Sequence, residues 1–323
     1  MMLVSFRLVA EDARRRETFV RVFLTTGVGV LILAAFQWAL FTDSMVLRFD
    51  AVHSRWIPRM ASVLAHPNHL GAYLVFLVPL GVAAAARRGA PRGDRLLGGF
   101  AAGLGMVAAY ATHSRSAWIA LPLALLVMVL VALGRRRRRQ AGGVLLLAGL
   151  AVVSLLVLPD SVERIRAFAD PTYASNRTRL DILAESVADV SASGAVIGEG
   201  LGDTVNLLRR TADISLHDVV SARARFVQEA KARTFVDNAV FKTWIEQGVV
   251  GLVFTLWLAW RLFLVALAAH GGKRAPLLHG TALAFSGIIV GLAALWWFVD
   301  VPDMFPVNLY FWTFAGLVAG TES

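Results

Sequence analysis

His66-Pro67-Asn68-His69-Leu70-Gly71-Ala72 opens a stretch that stays apolar to residue 86 and closes on Arg87-Arg88. A helix needs about 20 apolar residues to cross a hydrocarbon core of ~30 Å, and this run has that length. Its polar groups stand at one end and its arginines at the other. A segment built this way crosses a membrane with its basic end on the cytoplasmic side. The polar opening then lies on the outer face.

The rest of the chain repeats the pattern. Of 323 residues, 57% are hydrophobic and the mean hydropathy is +0.64, well above the ~45–50% apolar share of a soluble domain. Runs of spanning length fall at 19–41, 68–86, 96–112, 116–133, 143–159, 239–260, 277–298 and 304–320. The expectation is an all-α polytopic membrane protein with about eight transmembrane helices.

The charges between the runs set the topology. Arg14 to Arg16 precede the first span; Arg87, Arg88, Arg92 and Arg95 lie between the second and third; Arg135 to Arg139 follow the fourth; Lys273 and Arg274 follow the sixth. All fall on one side, so both termini are predicted to be cytoplasmic. The first span reads as an uncleaved signal anchor, being too long for a cleavable signal's apolar core. The net charge of +10 is therefore a topology signal. Five arginines between two spans leave no room for a nucleic-acid-binding fold, so no nucleic-acid partner is expected. With no cysteine, disulfides and thiolate metal sites are excluded.

Residues 1–159 then form five spans, 160–236 a long outward loop and 237–323 three more spans. A loop that long without structure is uncommon, which favours a functional role. Helical patterns run from Ser175-Asn176 to about Val190, from Asp203 to Arg210, and amphipathically from Asp218 to Arg233. Gly198-Glu199-Gly200-Leu201-Gly202 between them reads as a chain reversal using positive φ. It follows no clear strand and carries no Lys-Ser/Thr pair, so a nucleotide loop is disfavoured.

Outward polar residues are the candidates for chemistry. His53, His66, His69, His113 and His217 lie at or beyond the outer boundary, as do Arg48, Arg55, Arg59 and Arg115. Those arginines oppose the charge bias. A guanidinium fork suits a pyrophosphate, while the blander reading is snorkelling to lipid headgroups or pairing with Asp43, Asp50 and the loop acids. Arg115, in the tight Thr112-His113-Ser114-Arg115-Ser116 turn, is the residue for which function is favoured.

His66 and His69 have i, i+3 spacing, but no acid stands near them at ligand spacing, so no metal is expected. His66 suits an interfacial or helix-capping role. Asp237, Asn238, Lys242 and Glu246 enter the sixth span, where ionisable groups are costly. Lys242 and Glu246 have each other at i, i+4, which leaves Asp237 as the catalytic candidate. Gly99/Gly103 and Gly287/Gly291 read as helix-packing pairs, and Trp296, Trp297, Trp312 and Tyr310 as interfacial or bundle contacts. Pro79 and Pro122 fall inside spans.

The ordered motifs His66-Pro67-Asn68-His69-Leu70-Gly71, Thr112-His113-Ser114-Arg115-Ser116-Ala117-Trp118, Asn176-Arg177-Thr178-Arg179-Leu180, Gly198-Glu199-Gly200-Leu201-Gly202 and Val236-Asp237-Asn238 through Glu246-Gln247-Gly248-Val249-Val250-Gly251-Leu252 resemble the O-antigen ligase and Wzy-type polymerase superfamily. The resemblance covers roughly residues 60–260. It implies a GT-C-like membrane glycosyltransferase without metal or other cofactor. Such an enzyme uses a polyprenyl-pyrophosphate-linked glycan donor, such as one on undecaprenyl pyrophosphate, and a glycan, lipid or protein acceptor. The setting implied is the bacterial inner membrane, active face outward, in assembly of O-antigen, lipopolysaccharide, capsule or exopolysaccharide.

By that resemblance Arg115, with Arg177 or Arg179, grips the pyrophosphate. Asp237 and Arg115 are the catalytic pair, and His66, Asn68, Asn238 and Glu246 are further candidates. Two departures stand beside it. Asp237-Asn238 replaces the His beside Asn that ligases of the family usually carry, and eight spans are fewer than the family commonly has. A truncated, non-catalytic member is therefore the second reading. A transporter of an anionic solute is the third, although few ionisable residues lie deep in the spans and no repeat is apparent.

Overall fold

A computed structural model describes residues 13–40, 46–50, 55–64, 66–87, 89–134, 184, 190–200, 238–271, 276–299 and 304–319. Its elements are α1 (Ala13–Leu40), a hairpin of β1 (Val46–Asp50) and β2 (Arg55–Arg59), α2 (Pro67–Ala86), α3 (Arg92–Ala111), α4 (Arg115–Gly134), the short α5 (Ala192–Ile197), α6 (Ala239–Gly271), α7 (Pro276–Trp296) and α8 (Phe305–Ala319). The chain is an all-α polytopic membrane protein carrying one small hairpin.

Five helices among the described residues are long and apolar enough to cross a membrane: Arg14–Leu40, Pro67–Ala86, Arg115–Gly134, Ala239–Gly271 and Leu278–Trp296. The runs expected at 96–112 and 304–320 are also helical, as α3 and α8. The run expected at 143–159 lies outside the described residues, as do Arg135 to Arg139 and the amphipathic stretch 218–233.

Two compact units are present: residues 1–163, 260–295 and 301–323 in the first, and 164–259 with 296–300 in the second. In the first, α2 is the central element. From Leu70 to Val82 every side chain is buried, as expected of a helix apolar on all sides. Phe23 of α1, Tyr73 and Phe76 of α2, and Tyr310 and Phe314 of α8 form one aromatic cluster. Within it Phe23 and Tyr310 lie 5.0 Å apart, and Phe23 and Phe314 5.2 Å. Tyr310 is thus a bundle contact. Helices α2 and α4 run unbroken past Pro79 and Pro122.

Lipid is as apolar as leucine, so close helix association in a membrane depends on small residues that admit the neighbouring backbone. A Cβ on Gly81 would lie 2.7 Å from the Gly98 carbonyl oxygen, and one on Gly98 would lie 2.6 Å from that of Gly81. A Cβ on Gly287 of α7 would lie 2.5 Å from the Ala124 carbonyl oxygen, and one on Gly291 3.1 Å from that of Ala120. Gly287/Gly291 therefore packs as expected. Gly99/Gly103 does not: both have open space at the Cβ position. The packed face of α3 is Gly98, Ala102 and Gly105, one residue and ~100° around the helix. Exposed Phe100 and Val107 share the outward side.

At the basic end of α2, Arg87 pairs with Glu17 at 2.7 Å and approaches Asp94 at 3.8 Å, while Arg21 bonds Asp94 at 3.0 Å. Arg87 thus carries local pairing besides its topological charge. Where α6 turns into α7, His270 and His279 are buried. Each ring Nδ1 lies against the other's carbonyl, at 2.9 and 2.7 Å.

Candidate functional site

In the first unit the site begins at the N-terminus of α2. His66 is extended (φ −138, ψ 138) and its side chain accepts from the Asn68 N–H at 3.1 Å through Nδ1. Pro67 occupies the first helical turn, where its missing N–H leaves no bond unmade. An Nδ1 that accepts carries no proton, so the neutral His66 ring holds its proton on Nε2. The expected capping role of His66 is what the structure shows.

The cap fixes Asn68 on the first turn of α2, facing the turn that joins α3 to α4. Asn68 Oδ1 accepts from Ser114 Oγ at 3.0 Å and from Arg59 Nη2 at 3.3 Å. Ser114 Oγ also meets Ser116 Oγ at 3.0 Å. A hydroxyl has one proton, so with that of Ser114 directed to Asn68, Ser116 donates to Ser114. Arg59, at the end of β2, directs Nε to the Thr112 carbonyl at 2.8 Å, and the Met60 N–H bonds the Ala111 carbonyl at 2.9 Å.

Thr112 Oγ1 returns to the Ala109 carbonyl at 2.7 Å and accepts from the Ser114 N–H at 3.1 Å. His113 between them has φ 49, in the left-handed region that few side chains adopt. Gly71 completes the junction, since a Cβ there would sit 2.8 Å from Ala117 Cβ. Two motifs separated by more than forty residues thus become one polar node, with Ser114 and Ser116 buried.

Arg115 is the first residue of α4 and is half-buried. A cation at a helix N-terminus opposes the macrodipole. An anion there would be favoured by the guanidinium and by the positive end of the helix dipole together.

The second unit holds another pair of motifs. Helix α6 breaks at Gly248, whose φ of 67 and ψ of −174 are not helical. A break frees carbonyls in the turn before it, and those of Ile245 and Glu246 accept from Glu199 N at 2.9 Å and Gly200 N at 3.1 Å. Gly198 and Gly200 have φ of 88 and 108, so the turn reverses by positive φ as expected. A Cβ on Gly198 would overlap the Glu246 carbonyl, and one on Gly248 that of Val196.

Glu199 Oε1 accepts from Ser191 N at 2.9 Å and Ser191 Oγ at 2.5 Å. Trp244 Nε1 donates to the Ala195 carbonyl at 3.1 Å. Asn238 is the cap of α6, its Oδ1 accepting from Val240 N at 3.0 Å and Phe241 N at 3.2 Å. Glu246 is buried.

Residues 100–256 match the family model described as O-Antigen ligase. Just under half of the chain is thus similar to the O-antigen ligase family. That similarity supports an O-antigen ligase/polymerase-like membrane function in polysaccharide assembly. The O-antigen ligase-like segment includes the Thr112–Trp118 turn, the Gly198–Gly202 turn and the Gly248 break, while the His66–Gly71 motif precedes it. No curated protein matches the chain.

Of the expected site residues, the structure brings Asn68, His66 and the turn bearing Arg115 together in the first unit. It places Asn238 and Glu246 on one helix of the second. Asp237, Arg177 and Arg179 lie outside the described residues. Among the described residues no three His, Cys, Asp or Glu side chains gather as a cation site. Sequence reading assigned no role to Ser114, Ser116 or Ser191, and none to Gly248. A hydroxyl or a glycine at a span boundary carries no signal until its partner is known.

Proposed function

We propose that this O-antigen ligase-like chain is a glycosyltransferase of the outer face of the bacterial inner membrane. It transfers or polymerises glycan from a polyprenyl-pyrophosphate-linked donor. The observation that supports this reading best is the placement of Arg115. The residue opens a spanning helix on a turn that Asn68, Arg59 and Thr112 fasten through short hydrogen bonds.

As the glycosidic bond breaks, negative charge grows on the leaving pyrophosphate. A guanidinium already fixed in place stabilises that charge without reorganising at the moment of reaction. Arg177 or Arg179 supplies a second grip, and the Asp237 carboxylate takes the proton of the acceptor hydroxyl. Asn68 holds the turn, while His66 and Asn238 set helix starts. Both termini lie in the cytoplasm.

The test is a proteoliposome assay with a polyprenyl-pyrophosphate-linked oligosaccharide, comparing wild type, Arg115→Ala and Asp237→Ala. Longer lipid-linked chains that depend on both residues identify a polymerase, and transfer to a distinct acceptor identifies a ligase. Full activity in Arg115→Ala would refute the reading.

A further inference from the structure

We infer that Tyr110 and His113 form a shelf for a sugar ring of the lipid-linked glycan, beside the pyrophosphate held at Arg115. The inference rests on the reading of Arg115 given above. Its own support is a three-ring cluster that brackets the same turn. Tyr110 stacks on Trp118 with centroids 5.7 Å apart and planes 7° from parallel. The His113 ring lies 5.7 Å from Tyr110 and 6.2 Å from Trp118.

Trp118 is the buried plate of the cluster. It is 4% exposed and its indole N–H is fixed on the Ala109 carbonyl at 2.9 Å. Tyr110 and His113 are half-buried, so the accessible part of the cluster is theirs. Aromatic faces carry partial negative charge, which suits the C–H face of a pyranose. Ligand sites characteristically combine such surfaces with a few fixed polar groups.

The backbone adds an independent observation. His113 sits at φ 49, where glycine would be the unstrained choice for a turn that only reverses the chain. The strained conformation is held by His113 N on the Tyr110 carbonyl at 3.0 Å, Ser114 N on Thr112 Oγ1 at 3.1 Å and Arg59 on the Thr112 carbonyl at 2.8 Å. Backbone strain held by its surroundings clusters at ligand-binding positions.

Spacing fits the ligand as well. The first sugar of such a donor is bonded directly to phosphate, and two residues of chain span at most about 7 Å. A sugar attached to a pyrophosphate at Arg115 therefore falls within reach of His113.

The experiment measures binding of two probes to the full chain in nanodiscs: undecaprenyl pyrophosphate alone, and the same lipid carrying one glucose. The C–H face is common to pyranoses, so one hexose suffices. Tyr110→Leu and His113→Gly are expected to weaken the glucosylated probe roughly five- to tenfold, with the bare probe unchanged, and Tyr110→Phe is expected to restore binding. His113→Gly relieves the positive φ, so its melting temperature should not fall.

Arg115→Ala should weaken both probes. Equal wild-type affinity for the two probes, or parallel losses on both in Tyr110→Leu and His113→Gly, overturns the shelf. Unchanged glucosylated-probe binding in those two variants, with Arg115→Ala still weak on both, also overturns the shelf but leaves the Arg115 reading standing. A glucose-selective loss at Tyr110 with Arg115→Ala unchanged supports the shelf and refutes the pyrophosphate reading.

Discussion

Ser114 Oγ donates to Asn68 Oδ1 at 3.0 Å across 46 residues of sequence. That bond joins the first turn of one spanning helix to the turn before another. Asn68 also accepts from Arg59, so one amide oxygen holds two elements.

Removing that acceptor strands two donors. Asn68→Ala is expected to lower stability by about 1–3 kcal/mol and Ser114→Ala by less. Melting in detergent of both single variants and the double should show a coupling of roughly 0.5–3 kcal/mol. Additive losses would mean the two side chains do not act together.

Gly71 and Ala117 form a size-limited contact, with a Cβ on Gly71 falling 2.8 Å from that of Ala117. Gly71→Val should separate α2 from α4 and destabilise by about 1–3 kcal/mol, the usual range for overpacking. Ala117→Gly in the same chain should recover part of the loss, because it vacates the atom that clashes. No recovery in paired thermal melts would place the damage elsewhere.

Gly248 and Gly198 combine positive φ with backbone at the Cβ position. Either residue changed to Ala is strained in conformation and also displaces the turn that covers the Ile245 and Glu246 carbonyls. The expected loss is at least ~2 kcal/mol, greater than for Gly200→Ala, whose Cβ position is open. Limited proteolysis between residues 200 and 238 should accelerate in the first two variants only.

Arg115→Lys keeps the charge but loses the planar fork. Transfer in proteoliposomes should drop about a hundredfold. A lysine enzyme as active as wild type would show that only a point charge is needed.

The sequence was most legible where one element decides its own environment. Spanning helices such as Pro67–Ala86 follow from length and apolarity alone, and the His66-Pro67 start follows from local capping chemistry. The resemblance also marked the turns at Thr112 and Gly198. The hairpin at 46–59 was not anticipated. Its strands mix Val46, Leu47, Phe49, Trp56 and Ile57 with three arginines, Asp50 and Pro58, without the regular alternation and proline-free run by which a strand is recognised.

Gly98 and Gly99 show the same limit inside a helix. Two overlapping small-residue patterns satisfy the same spacing, and only the neighbouring backbone selects the face.

What the sequence by itself determined is therefore the membrane class, most of the helices and the similarity of residues 100–256 to the O-antigen ligase family. Hydrophobic length and loop charge act through solvent, which every residue meets independently of its eventual neighbours. Tertiary structure alone decided that Asn68 meets Ser114, that Arg59 fastens Thr112, and that the Gly198 turn covers the break at Gly248. A hydrogen bond depends on positions and angles fixed by two distant segments at once, and neither segment carries that geometry on its own.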